Sequence, residues 1–178
     1  MLCPVTMVAE NVRAKFRAIT YSDRLYWFSG NDEGFIPDTE DASEPGVYRW
    51  ASVSQDFREV YGYFTYRIDM QSHRLQEIAC IRFGNKGRFT FNRDVVSHIN
   101  YILDKWNIQS VEFHMIGGNP VLPAYRKFVN AHHGQEFVLH NVSVDKYGEF
   151  HDEHIFEILV KKEDKVNVSV GETAHWDR

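Results

Sequence analysis

Cysteine is scarce in this chain. Its 178 residues include only Cys3 and Cys80, too few for the disulfide framework of a small secreted domain. Long apolar runs are missing as well, so no segment reads as a membrane span. Residues 1–10 (M-L-C-P-V-T-M-V-A-E) have neither the charged start nor the apolar stretch of a signal peptide. The expected setting is therefore the reducing cytoplasm, without a membrane partner, and the N-x-S patterns at Asn141 and Asn167 have no glycosylation machinery to meet. Basic blocks are absent too: 20 Lys+Arg against 25 Asp+Glu leave a net charge of −5. Binding nucleic acid through counterion release needs clustered cations, so that class of partner is excluded. The acidic residues are equally scattered and favour cationic amines only in a general way. There is no internal repeat and no low-complexity tract.

Nine histidines are present, but they lack metal-site spacing. His132 and His133 are adjacent, about 100° apart on a helix. His151 and His154 fall on opposite faces of a strand. With no Cys pair and no H-E-x-x-H, no metal is expected.

The chain is well supplied with core material: 43% of residues are hydrophobic and 15% aromatic, enough for one domain with a sizeable interior. Residues 110–134 organise it. Val111, Phe113 and Met115 alternate with Glu112 and His114, which predicts a strand. Gly117-Gly118-Asn119-Pro120 breaks that strand. Val121, Leu122, Tyr125, Phe128 and Val129 then form one apolar face of a short helix. Pro123 sits in the first turn of that helix, where its missing N–H costs little, and Gly134 is the stop.

Taken in order, residues 1–10 read as a loose leader and residues 15–20 (K-F-R-A-I-T) as a first strand. Ser22 and Asp23 can cap a short helix over residues 24–29. Residues 30–46 are acidic and rich in turn formers, a long loop suited to the substrate side. Residues 47–55, 60–70 and 75–83 alternate as three strands joined by short turns, the simplest arrangement being an antiparallel meander. In the third, Ile78-Ala-Cys-Ile81 is apolar on both faces, as in the middle of a sheet. After a turn at residues 84–87, Asn92 or Asp94 caps a helix over residues 95–106. Two further strands, residues 136–144 and 154–161, form a terminal hairpin, and residues 162–178 are a polar tail.

This order, together with Asn119, Ala124, Tyr125-Arg-Lys-Phe128, Gly134 and a hairpin ending in D-E-H-I-F-E-I, resembles the GNAT N-acetyltransferase superfamily from residue 15 to residue 161. The resemblance implies an α/β fold with a GNAT-like mixed, mostly antiparallel sheet flanked by helices, one domain over residues 1–161. A splayed site between the strands of Leu75 and Val111 is expected. The implied activity moves an acetyl group from acetyl-CoA to an amine of a small molecule or protein. Tyr125 matches the family's general acid for the leaving thiolate. A backbone N–H among Cys80, Ile81 and Arg82 corresponds to the group that holds the carbonyl. Glu77 is the best-placed base, ahead of Glu112 and His114. Coenzyme A would engage Gly84, Lys86, Gly87, Arg88 and Asn119. Cys80 is not read as a nucleophile, because an apolar strand centre raises a thiol pKa.

The chain departs from the family at the pyrophosphate loop. Family members carry Arg/Gln-x-x-Gly-x-Gly/Ala there, and this junction reads F-G-N-K-G-R-F-T-F-N-R-D. Phe89, Thr90 and Phe91 replace small residues, and Asp94 sets a negative charge near the expected helix start. The spacing from Asn119 to Tyr125 is one residue shorter than the common form. Two classes of function therefore stand: an acyl-CoA-dependent N-acetyltransferase, and a catalytically inactive GNAT-fold module that binds a ligand or partner. A homodimer is open under either.

Overall fold

The computed structural model describes residues 1–19, 44–144 and 148–160. The short helix expected at residues 24–29, most of the loop at residues 30–46 and the tail at residues 162–178 lie outside the described residues. Seven strands form one sheet: β1 (Leu2–Pro4), β2 (Val47–Val53), β3 (Val60–Asp69), β4 (Arg74–Arg82), β5 (Ser110–Ile116), β6 (Gln135–Val144) and β7 (Phe150–Leu159). Their spatial order is β1-β2-β3-β4-β5-β7-β6. All neighbours are antiparallel except β4 and β5. Among the described residues three α-helices accompany the sheet: α1 (Ala9–Ile19), α2 (Arg88–Lys105) and α3 (Leu122–Ala131). None of the described helices is long and apolar enough to cross a membrane.

The meander β2-β3-β4 forms as its alternation predicts. On β3, Tyr63 faces α1 and packs with Val12, Phe16, Ala51, Val53 and Ile81. Its neighbours Phe64, Tyr66 and Ile68 face the other way and pack with Phe91, Val95 and Ile102 of α2. The third cluster joins Leu122 and Val129 of α3 to Phe113, Met115, Phe156 and Ile158. Ile78 and Val111 touch both the second and the third cluster, so α2 and α3 share one face of the sheet and α1 covers the other. The crossovers β4-α2-β5 and β5-α3-β6 advance in the same direction, and a common right-handed sense puts their helices on the same side.

Two expectations are overturned at the N-terminus. Residues 1–10 are not a loose leader: β1 pairs with β2, a 3-10 turn covers Val5–Val8, and α1 starts at Ala9. Residues 15–19 are the end of α1, not a strand. Val5, Val8, Val12 and Phe16 recur at helical spacing and are all buried, Val12 and Phe16 completely. A six-residue window that alternates is compatible with both periods, and tertiary burial decides between them.

The helix expected at residue 95 begins instead at Arg88, so neither Asn92 nor Asp94 is its cap. Gly87 takes the N-cap place at φ 69°. Phe91 supplies the reason for the early start: one turn before Val95, it packs on the α2 face of the sheet over Gly62. Asp94 lies well inside the helix and accepts a 2.7 Å hydrogen bond from Ser52 Oγ on β2.

Candidate active site

The parallel pair β4/β5 is matched only at Arg74↔Ser110 and Leu75↔Val111. Beyond these two pairs the strands no longer pair, and the sheet splays toward their C-terminal ends; this splay is the cleft referred to below. The splay predicted between the Leu75 and Val111 strands is therefore present. Ligands favour such crevices, because strand ends and helix N-termini converge there.

A bulge in β4 sets what faces this cleft. Thr65 pairs with Ala79 and Arg67 with Gln76, so Tyr66 alone opposes two residues, Glu77 and Ile78. Glu77 carries the extra turn at φ 52°, a left-handed conformation unusual for a side chain other than glycine. The inserted residue reverses the strand's phase. Leu75 faces the α2 side before the bulge, and Ile78 and Cys80 face that same side after it. Phe83 N–H donates to Tyr61 O. The antiparallel alternation then points the N–H groups of Ala79 and Ile81 at β3, and those of Cys80 and Arg82 toward the cleft. Of the three residues singled out for carbonyl binding, Cys80 and Arg82 thus have the required orientation and Ile81 does not.

Because β5 diverges, the centre of β4 is not buried on both faces as expected. Cys80 is exposed along the cleft. The protein around its sulfur still disfavours the thiolate and pushes the thiol up to about 12. A poorly ionised thiol is a weak nucleophile at neutral pH.

Tyr125 projects from α3 onto β5. Its ring packs on Phe113 with centroids 5.2 Å apart and planes at 59°. Its hydroxyl lies within electrostatic reach of Cys80; burial first, and then that neighbour, raise its pKa well above the ordinary phenol value. Asn119, in the turn before α3, accepts a 3.0 Å hydrogen bond from Val121 N–H through Oδ1 and so shapes the helix entry.

The sheet face opposite Tyr125 carries the candidate bases. Glu77 is exposed and pairs with Arg67, Oε2 to Nε at 2.8 Å; Arg67 also pairs with Glu44. His114 is held between Glu153 (2.8 Å) and Glu112 (3.2 Å). Burial works against its charged form, but the two carboxylates outweigh that and raise its pKa. Arg74 forks from β4 to Glu112 and Glu157 at 3.1 and 3.5 Å, tying both sides of the splay together at its base.

At the start of α2, Gly84 (φ 105°) and Gly87 bound the turn. A Cβ on Gly87 would lie 2.3 Å from the Tyr61 ring, so only glycine fits over that ring. No side chain caps the helix and no acidic residue occupies its first turn. The charge expected from Asp94 is therefore not at the helix start. Phe89 points into solvent at 68% exposure and Phe91 is buried against the sheet, so neither side chain fills the turn. Arg88 stands over the Phe89 ring at 4.8 Å, while Lys86 is paired with Glu59 at 2.8 Å.

Sequence reasoning missed a polar group beside the cleft. Arg126 forks onto Glu136, and Glu136 meets the buried His154 of β7. The three residues are far apart in sequence and leave no local signature. Among the described residues no His, Cys, Asp and Glu cluster suits a metal ion.

No family model matches the chain, and no curated protein matches it in sequence. Solved structures do match its fold. A structure described as a probable acetyltransferase aligns with a TM-score of 0.63 at 12% identity, over 89% of this chain and 97% of its own. One described as a probable acetyltransferase of the GNAT family from Chromobacterium violaceum aligns at 0.61 and 17% identity, over 85% and 82% of the two chains. Spermidine N-acetyltransferase from Vibrio cholerae, in complex with CoA and spermine, aligns at 0.62 and 13%, over 84% and 90%. The architecture is GNAT-like, as the order of sequence elements implied.

Proposed function

We propose that the protein is an N-acetyltransferase that moves an acetyl group from acetyl-CoA to an amine of a small molecule or peptide. The observation that carries this reading is the splay of β4 from β5, with Tyr125 of the following helix packed on Phe113 of β5. The helix start supports it. An uncapped α2 N-terminus, a Gly87 turn lying against Tyr61, and Arg88 together suit the pyrophosphate of coenzyme A. Phe89 and Phe91 turn away from this site, which favours a working loop over a decayed one.

Bound acetyl-CoA supplies an activated acyl group and a thiolate leaving group. The N–H groups of Cys80 and Arg82 point where an acyl oxygen gains charge. Tyr125 holds a proton at its hydroxyl at neutral pH, because burial disfavours the phenolate. Glu77, in the bulge, offers a carboxylate on the opposite face, from which the amine would approach. That face also carries Glu112, Glu153 and Glu157, which suits a cationic amine. Spermidine, the substrate named for one structural neighbour, belongs to that chemical class.

Ligand linkage tests the reading most directly. Coenzyme A at 100-fold above Kd adds about 2.7 kcal/mol of stability, which reads as a raised melting temperature. Replacing Lys86 and Arg88 together with Ala should reduce that shift, because both stand at the Gly84–Gly87 turn at the start of α2. A melting curve that millimolar coenzyme A leaves unmoved would sink the proposal.

A further inference from the structure

Outside the cleft, the described residues hold one charged group whose central ring is buried. On β7, His154 is only 6% exposed. Its Nδ1 lies 2.7 Å from Glu136 Oε1 on β6. A carboxylate only accepts, so Nδ1 carries the proton and donates. Glu136 also receives Arg126 of α3, with Nε at 2.9 Å from both carboxylate oxygens and Nη2 at 2.7 Å from Oε1. Arg126, and then His154, hold Glu136 ionised below the usual carboxylate range. His154 Nε2 sits over Gly117, the residue that follows β5; a Cβ there would be 3.4 Å from Nε2 and 3.1 Å from Asp152 O. Gly117 N–H donates to that same Asp152 oxygen at 2.7 Å. One cluster thus fastens α3, β6, β7 and the turn leading into α3.

We infer that Glu136 and His154 are positioning residues, which fix the rotation of α3 through Arg126 and so keep the Tyr125 ring packed on Phe113 and its hydroxyl aimed at the splay. Arg126 follows Tyr125 directly, so the two side chains leave the helix about 100° apart. Holding one on β6 aims the other at the splay. A phenol hydroxyl stands far from the helix axis, so a 10° turn of the helix moves it on the order of 1 Å. A displacement of that size costs up to about 10²-fold in rate when the group takes part in the chemistry. Leu122 and Val129 also hold α3 through apolar contacts, and apolar contacts are non-directional. The fork onto Glu136 is directional.

The kinetic part of the test rests on the transferase reading; the chemical part does not. Iodoacetamide modification of Cys80, read by peptide mass spectrometry in the full chain, reports a change in the surroundings of the sulfur, which lies within electrostatic reach of Tyr125. Glu136→Gln keeps the volume and removes the charge that Arg126 and His154 share. It should raise the Cys80 modification rate by about threefold or more while Cys3, buried at 3%, stays unmodified. In acetyl transfer, Glu136→Gln should lower kcat about 10- to 100-fold with KM for acetyl-CoA nearly unchanged, and should cost nothing further in a Tyr125→Phe background. His154→Asn, which retains a donor at the Nδ1 place, should restore both readouts toward wild type relative to His154→Ala. Should Glu136→Gln fail to fold, Arg126→Lys answers the same question, because it keeps the charge but loses the fork. An unchanged Cys80 rate in a folded variant overturns the inference, as does an equal kcat loss in both backgrounds. An inactive wild type whose Cys80 rate still responds to Glu136→Gln would count against the transferase reading alone.

Discussion

The two sides of the splay are built differently. The β1–β4 side holds most of the large side chains with essentially no exposure: Tyr63, Phe16, Phe64, Leu75, Ile102, Val12 and Val53. Helices cover both of its faces. The β5–β7 side has a ten-residue helix on one face, and its strands leave Phe137, Leu139, Val142, Phe150 and Leu159 exposed. Its register relies more on charge: Arg126 to Glu136 to His154 on one face, and Arg74 to Glu112 and Glu157 beside His114 on the other. Two backbone pairs, the Arg74 fork and the apolar contacts of Ile78 and Val111 join the sides. The comparison teaches a division of labour. Apolar burial makes one wall of the cleft stiff, and directional polar contacts aim the group on the other wall.

The sharpest test of this contrast is stability. Phe64→Ala, at a fully buried position, should cost about 3–5 kcal/mol. Phe137→Ser, at 50% exposure on β6, should stay within about 0.5 kcal/mol. Urea unfolding of both variants measures this. Comparable losses would mean that the sides do not differ in the way described.

Next in size is the aimed group itself. Tyr125→Phe keeps the Phe113 contact and loses only the hydroxyl, so kcat should fall roughly 10²–10⁴-fold with little change in the KM for acetyl-CoA. Steady-state kinetics with a melting curve on the same sample separates chemistry from packing. Full turnover at unchanged stability would return Tyr125 to the core.

How much of this was legible in the chain depends on the kind of signal. The β2–β4 meander and the β5–α3 unit were readable, because burial there follows simple periods over ten or more residues. The start of α2 was not, since its cap is a glycine and the run F-T-F looks extended in isolation. Residues 15–19 failed for the opposite reason: the window was too short to separate a period of 2 from one of 3.6. Tyr125 was singled out from the resemblance of its helix to the family motif, and the structure packs its ring on Phe113. The Glu77 bulge has no sequence signature, and it decides that Cys80 and Arg82 rather than Ile81 turn their N–H groups to the cleft. Glu136 and His154 lie 10 and 28 residues from Arg126, beyond any local pattern.

The smallest effect concerns acid. His98 of α2 lies against Trp50 and accepts from the Tyr66 hydroxyl at 2.9 Å, and burial lowers its pKa from 6.5. A lowered folded-state value means the unfolded chain binds the proton more readily. His98 therefore stabilises above pH 6.5, and that contribution fades as pH falls toward its folded value. His114 has the opposite sign. With its folded pKa raised, its contribution is complete below pH 6.5 and is lost as pH rises through the folded value. Melting temperatures from pH 5 to 8 should show His98→Phe flattening the acid side and His114→Gln the neutral side. Identical profiles for the two variants would erase this part of the contrast.

The extra residue at Glu77 has a further meaning if β4 is regarded as text with a reading frame. Upstream of it, odd-numbered residues such as Leu75 address the α2 side; downstream, even-numbered residues such as Ile78 and Cys80 do. The bulge is a one-letter insertion that restores sense to everything after it. Without that letter, Ile81 and Ala79 would exchange places with Cys80 and Arg82, apolar core would meet water, and the N–H groups of the cleft would point back into β3. Substitution can change what a single letter of this strand says, but only a deletion or insertion can scramble the sentence, so the length of β4 is a more stringent requirement than its composition.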